Sequence, residues 1–286
     1  MRLSLGTPLH RLRGEAPEMA TLESLGSPPA QNVRVEKFRS RSFRFYYRVQ
    51  PVLVPGLRNA QFAYRDLLES RVTREVRWLD IGCGRRLLPD WMPGSEETQS
   101  RIIGSARAAF GIDPDFASLK DNRALDMRVA GDSNHLPFAD CSFDLLTANM
   151  VVEHISDPDA LLREARRILK PGGVFIFHTP NSRSYATFFS TLVPESWKKR
   201  LIGFLEGRKE EDVFPTFYRM NAASRIRAIA ERNGLRTAEL RMTESSAQAV
   251  MLGPAIILEL LWIRILRISV FRGWRSNIIA VLQKDK

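Results

Sequence analysis

At 286 residues, with 44% hydrophobic and 26% charged side chains, the chain can bury a core unaided, as one large domain or one domain with a small annex. Two cysteines, Cys83 and Cys141, exclude a disulfide framework and a cysteine zinc site. A formal net charge of +11 favours an acidic partner, although arginine spread over a solvated surface accounts equally for the number.

The chain opens on Gly, Pro and Ser without periodicity, so residues 1–32 read as a mobile tail. Arg11 and Arg13 arrive too early for a signal peptide, and cytoplasmic residence is expected, with the inner face of a membrane as a peripheral site. Residues 33–49 interleave Arg34, Lys37, Arg39, Arg41, Arg44 and Arg48 with Phe38, Phe43, Phe45, Tyr46 and Tyr47. Cations beside rings suit RNA or an anionic headgroup layer. The plainer reading is a flexible extension, residues 1–49, whose aromatic residues cap the core of a domain covering 50–286.

A helix is predicted over 59–71, with Phe62, Leu67 and Leu68 facing inward. From Val76 strand and helix signals alternate, the pattern of a parallel sheet with helices on both faces. The strand-like runs are VRWLDI, AAFGID, MRVAG, SFDLLTAN and GVFIFHTP. Before the last of these, residues 157–170 make an amphipathic helix with Leu161, Leu162, Ala165, Ile168 and Leu169 as its stripe, stopped by Pro171-Gly172-Gly173. Residues 181–220 interrupt the alternation. It resumes with a helix over 222–233 and the strands GLRTAELRM and SNIIAVLQK. Between those strands lies the most apolar segment, 249–271. Glu259, Arg264 and Arg267 argue against a membrane span there and for a helical element that is buried, dimerising or interfacial.

The strand VRWLDI runs into GCGRR. Gly82 and Gly84 would let backbone pass under a ligand where a Cβ would collide, and a helix start is expected to complete the cradle. Leu87 stands where a dinucleotide fingerprint needs glycine, which disfavours hydride-transfer cofactors. The next strand ends in Asp113, placed to accept from a ribose diol, and a third ends at Gly131-Asp132.

The ordered series LDIGCG, GIDPD, GD before LPF, FDLL, EHI and LKPGG resembles the class I S-adenosylmethionine-dependent methyltransferases, especially the group related to quinone biosynthesis. The likeness is tight over 76–181 and loose over 217–242. It implies an α/β, doubly wound and mostly parallel sheet of the Rossmann-like methyltransferase type, with inserted lid segments on the substrate side at 181–220 and 249–271. It also implies S-adenosylmethionine as cofactor and S-adenosylhomocysteine as product. Asp80, Gly82, Cys83 and Gly84 resemble the segment at the methionine end of the cofactor, Asp113 and Pro114 the ribose-binding segment, and Asp132 and Ser133 the adenine end. Asn149 corresponds to the opening toward the transferred methyl.

Some relatives carry E-x-x-E-H as part of a metal site. Here Met150 replaces the first glutamate, so no metal is expected, and Glu153, His154 and His178 become candidates for a proton-accepting set. The alternative is that Glu153 and His154 only tie down a loop. The apolar, basic character of 181–220, 249–271 and the basic aromatic stretch suits a small-molecule acceptor that is amphiphilic or lipid-linked. Arg85-Arg86 stand where many relatives have a further glycine, which keeps open a degenerate member that only binds nucleic acid or a membrane.

Overall fold

The computed structural model describes residues 30–125, 127–192, 215–248 and 250–286. Most of the expected N-terminal tail, the larger part of the 181–220 insertion and Ala249 lie outside them. In chain order the elements are α1 (Ala30–Leu53), α2 (Ala60–Arg71), β1 (Arg77–Ile81), α3 (Ser95–Gly104), β2 (Ala108–Asp113), α4 (Phe116–Asp121) and β3 (Met127–Ala130). They continue with β4 (Phe143–Asn149), α5 (Pro158–Ile168), β5 (Leu169–Pro180), α6 (Tyr185–Leu192), α7 (Ala223–Arg232), β6 (Leu235–Thr243), α8 (Ile256–Leu266) and β7 (Asn277–Lys284). Short 3₁₀ segments cover Val152–His154, Val250–Ala255 (kinked at Gly253) and Ser269–Trp274.

The strands form one seven-stranded sheet in the order β3-β2-β1-β4-β5-β7-β6. Strands β1 to β5 pair in parallel, and only β7, inserted between β5 and β6, runs antiparallel. The alternating pattern predicts this doubly wound sheet. The strand order turns outward on both sides of β1, between β2 and β4, and at such a switch point helices diverge and leave a crevice at the carboxyl edge.

Both faces are covered, so after the half-buried Arg77 at its start β1 is apolar except for one acid. Trp78 packs into one core layer with Leu145, Ile176, Ile279 and Val281. Leu79 and Ile81 pack into the other with Ile112, Leu146, Phe175 and Phe177. Each such fully buried side chain contributes about 1.5–3 kcal/mol relative to exposure.

Local chemistry sets the helix starts. Asn59 accepts from the Gln61 N–H to cap α2, Asp115 from Ala117 to cap α4, and Asp157 from Ala160 to cap α5, where Pro158 supplies the first turn. The predicted stripe of α5 is buried. The helix ends at Ile168, two residues short of the expectation, because Leu169 turns extended (ψ 137°) and begins β5.

The stretch expected as a flexible extension is helical from Ala30. On its inward face Tyr46 is buried, clustered with Val54 and with Val250, Ile256, Leu260 and Ile263 of the apolar segment, while Phe43 and Tyr47 remain exposed. Residues 250–274 form a 3₁₀ turn, α8 and a second 3₁₀ turn. Among the described residues no helix is long and apolar enough to cross a membrane.

Candidate functional site

The carboxyl ends of β1 and β2 carry the first two predicted acids side by side, since the register pairs Asp80 with Gly111 and Ile81 with Ile112. Asp80 is 4% exposed. The Trp78 indole N–H donates to Thr147 Oγ1 (2.7 Å), and the Thr147 hydroxyl donates to Asp80 Oδ1 (2.5 Å). Among the described residues no basic side chain pairs with Asp80. Burial pushes its carboxyl up to about 7; the Thr147 bond opposes the shift and the charge of Asp113 adds to it.

Asp113 organises the glycine turn. Its Oδ2 accepts from the Gly84 N–H and its Oδ1 from the Asp115 N–H, both at 2.8 Å, so one carboxylate joins the loops after β1 and β2. Each oxygen keeps acceptor capacity beyond these bonds. The Gly82 and Cys83 N–H groups donate to the Ile112 carbonyl.

The two glycines serve different ends. A Cβ on Gly82 would lie 2.4 Å from Val151 Cγ2, and its φ of +66° is left-handed. Gly84 also has positive φ (+46°), yet a Cβ there would meet nothing within 4 Å, so conformation rather than collision accounts for this glycine. Cys83 is 2% exposed with Sγ packed toward Gly111, and burial raises its thiol pKa far above the ordinary value, so it offers the site only backbone.

No helix starts at this turn, contrary to expectation. Leu87, Leu88 and Met92 bury themselves in the core, and α3 begins only at Ser95 behind Gly94. The support comes instead from Asn122, 1% exposed, whose Nδ2 donates to the Gly84 carbonyl (3.0 Å) and more weakly to that of Cys83 (3.4 Å). Sequence reading passed over Asn122, which lies 38 residues away with no local signature.

A cavity of about 610 Å³ opens at this edge, lined among others by Gln61, Arg85, Arg86, Asp121, Asn149 and Met150. Asp80 and Asp113 are buried at the base of the glycine loop and are not part of that lining. Arg86 pairs with Asp90 (2.7 Å) and Arg85 with Asp121 (3.8 Å). Gln61 of α2 is a second residue that sequence reading missed. Its Oε1 accepts from Asn149 Nδ2 at 2.9 Å. Met150 takes positive φ (+58°), rare for a side chain without a local polar group, and its N–H donates to the His178 carbonyl.

Asp132 and Ser133 follow β3. Asp132 is exposed and accepts from the Asn134 backbone (3.1 Å) and side chain (3.0 Å), closing a tight turn. Pro114 is exposed between the two acids of its loop.

The three proton-transfer candidates have separate partners. Glu153 is buried, which raises its carboxyl pKa; it accepts from Thr179 Oγ1 (2.9 Å), and its carbonyl holds the N–H groups of Phe217 and Tyr218. Half-buried His154 places Nδ1 2.9 Å from the Pro215 carbonyl. His178, 2% exposed, lies between Asn149 Oδ1 (2.9 Å) and Asn277 Oδ1 (3.2 Å), and burial lowers its pKa to about 4. A neutral imidazole donates to one carboxamide and accepts from the other, which turns its amide accordingly. Among the described residues no three His, Cys, Asp or Glu side chains gather as a metal site.

A family model described as a methyltransferase domain matches residues 48–240. The chain is 35% identical over 115 residues to a demethylmenaquinone methyltransferase of Mycobacterium sp. (strain KMS), covering 39% of this chain and 50% of that protein. It is 33% identical over 120 residues to a malonyl-[acyl-carrier protein] O-methyltransferase of Erwinia pyrifoliae, covering 42% and 43%. The chain thus spans about half the length of the curated relatives it matches. A chain in the complex of the Haloferax volcanii Trm112 methyltransferase activator with a methyltransferase superposes with TM-score 0.53 at 17% identity, over 87% of this chain and 98% of that one. That likeness shows the fold. The match over 48–240, on the Rossmann-like sheet described above, shows that the chain belongs to the methyltransferase-domain family.

Proposed function

We propose that the chain binds S-adenosylmethionine at the carboxyl ends of β1 and β2 and directs its methyl group to an amphiphilic small-molecule acceptor, releasing S-adenosylhomocysteine. The observation that carries this reading is Asp80, a buried acid with no cationic partner among the described residues, at the start of a backbone turn made narrow by Gly82. An α-ammonium beside it would supply the missing positive charge. The backbone of Gly82, Cys83 and Gly84 would hold the same end of the cofactor. Asp113 and Pro114 would hold the ribose, and Asp132 and Ser133 the adenine.

The bound cofactor supplies an electrophilic methyl group, so the protein's task is alignment and, where the acceptor requires it, proton removal. Asn149, held between Gln61 and His178, would orient the acceptor at the cavity. His154 is the candidate proton acceptor, its ring oriented by the bond from Nδ1 to the Pro215 carbonyl. Glu153 and His178 would act as positioning residues. Relatives named for demethylmenaquinone and malonyl-acyl carrier protein support an acceptor with a large apolar or carrier-borne part.

A rival reading, a fold kept only for binding nucleic acid or membrane, rests on Arg86 in place of a glycine and on Met150 in place of a glutamate. The pairing of Arg86 with Asp90 weakens it. Calorimetric titration with S-adenosylhomocysteine separates the two. One saturable site, weakened in Asp80→Asn, supports the enzyme, and no heat of binding to the folded full chain sinks it.

A further inference from the structure

Helix α8 is apolar on two opposite faces. Ile256, Leu260, Ile263 and Leu266 are buried, the first three against Tyr46 and Val54. At about 100° per residue, Leu258, Leu261, Ile265 and the following Ile268 fall on the other side of the helix. These four are 72%, 42%, 39% and 53% exposed. The 3₁₀ turn that follows adds Val270 and Trp274, exposed as well.

The charges around this strip have one sign. Arg264 and Arg272 are exposed, Arg264 with one weak bond to the Leu53 carbonyl (3.4 Å), while Arg267, also exposed, is held on the covered side by the Pro55 carbonyl (2.5 Å). The single acid between residues 250 and 276, Glu259, takes the Tyr185 hydroxyl (2.6 Å) and the Gln248 N–H (2.8 Å). On α1, packed against α8, Arg41, Arg44 and Arg48 are exposed, and no Asp or Glu occurs between residues 41 and 65. A continuous strip of large apolar side chains is unfavourable in water, and cations at its rim complement anionic headgroups.

We propose that α8 and the turn after it lie flat in the headgroup layer of an anionic bilayer, with the Leu258-Leu261-Ile265-Ile268 stripe toward the acyl chains and the arginines on lipid phosphates. The arginine stems add apolar cover while their guanidinium groups stay at the polar level. The surface is separate from the glycine loop, so docking does not depend on the methyl-transfer reading and is tested without any activity.

The full chain is sedimented with vesicles of phosphatidylcholine alone and of phosphatidylcholine with phosphatidylglycerol, at low and high salt, alongside size-exclusion chromatography. At low salt, partition onto the phosphatidylglycerol vesicles exceeds that onto neutral ones about tenfold or more. The double variant Leu258→Gln/Ile265→Gln loses most of this binding while keeping the wild-type melting temperature, and Arg264→Glu/Arg272→Glu reduces it separately. Equal partition onto both vesicle types, or binding that survives both double variants, overturns the proposal. So does a dimer that the Leu258→Gln/Ile265→Gln variant dissociates without any vesicle binding, which would assign the stripe to a second copy of the chain.

Discussion

The carboxylate of Asp113 accepts the backbone N–H of Gly84 at 2.8 Å across 29 residues of sequence. A predicted ligand-binding acid is thereby also the brace that shapes the glycine turn. Its substitution will act on binding and on folding together.

Asp113→Ala should weaken S-adenosylhomocysteine binding by about 1.5–3 kcal/mol, the range for charged hydrogen bonds, and should also lower stability through the lost bonds to Gly84 and Asp115. Calorimetry and urea unfolding on one preparation read both quantities. Unchanged affinity in the folded variant would remove Asp113 from the binding site.

Two buried groups should pull stability in opposite directions with pH. Asp80 goes from an ordinary value of 3.8 to about 7 on folding, so between these values the native state binds the extra proton and stability falls as pH rises. His178 goes from 6.5 down to about 4, so the unfolded state binds the extra proton there and stability falls as pH drops. Relative to wild type, Asp80→Asn should therefore gain stability as pH rises from 4 to 7, and His178→Gln should gain relative stability as pH falls from 6.5 toward 4. With the titrating imidazole gone, its unfolding curve should be flatter in acid. Parallel wild-type and variant curves across this range would contradict the burial of both groups.

The same Asp80 ionisation should govern ligand affinity. Binding of a ligand that carries an α-ammonium should strengthen as pH rises through about 7, where the carboxylate forms, and Asp80→Asn should flatten the dependence. Calorimetry at several pH values provides the check.

Gly82→Ala should destabilise the fold by about 1–3 kcal/mol, because the new methyl meets Val151 at 2.4 Å and the φ of +66° disfavours any side chain. Adding Val151→Ala should relieve the contact but not the backbone cost. Full recovery in the double variant would show that the positive φ costs nothing there.

Arg86→Ala should change cofactor affinity by less than about threefold, since the guanidinium is about half exposed and paired with Asp90. A larger gain in affinity would mean that Arg86 crowds the site.

The sequence by itself determined the sheet, because alternating strand and helix periods are local signals. It also placed Asp80, Gly82, Gly84 and Asp113, since glycine between a strand and a turn, and acids at strand ends, are readable at short range. Only the tertiary structure decided that Asn122 braces the glycine turn, that Gln61 and His178 hold Asn149 from either side, and that Glu153, His154 and His178 find separate partners. Those contacts join residues 26 to 99 positions apart, or depend on which side chain a shared core admits, and periodicity carries no such information. The start of α3 at Ser95 belongs with them. Leu87, Leu88 and Met92 gain more from burial in the core than from the helical turn that a glycine loop usually begins. The apolar segment makes the same point from the other side. A helix apolar on most faces reads as buried, dimerising or interfacial, and only packing against Tyr46 and Val54 decided which face was covered and which was left exposed.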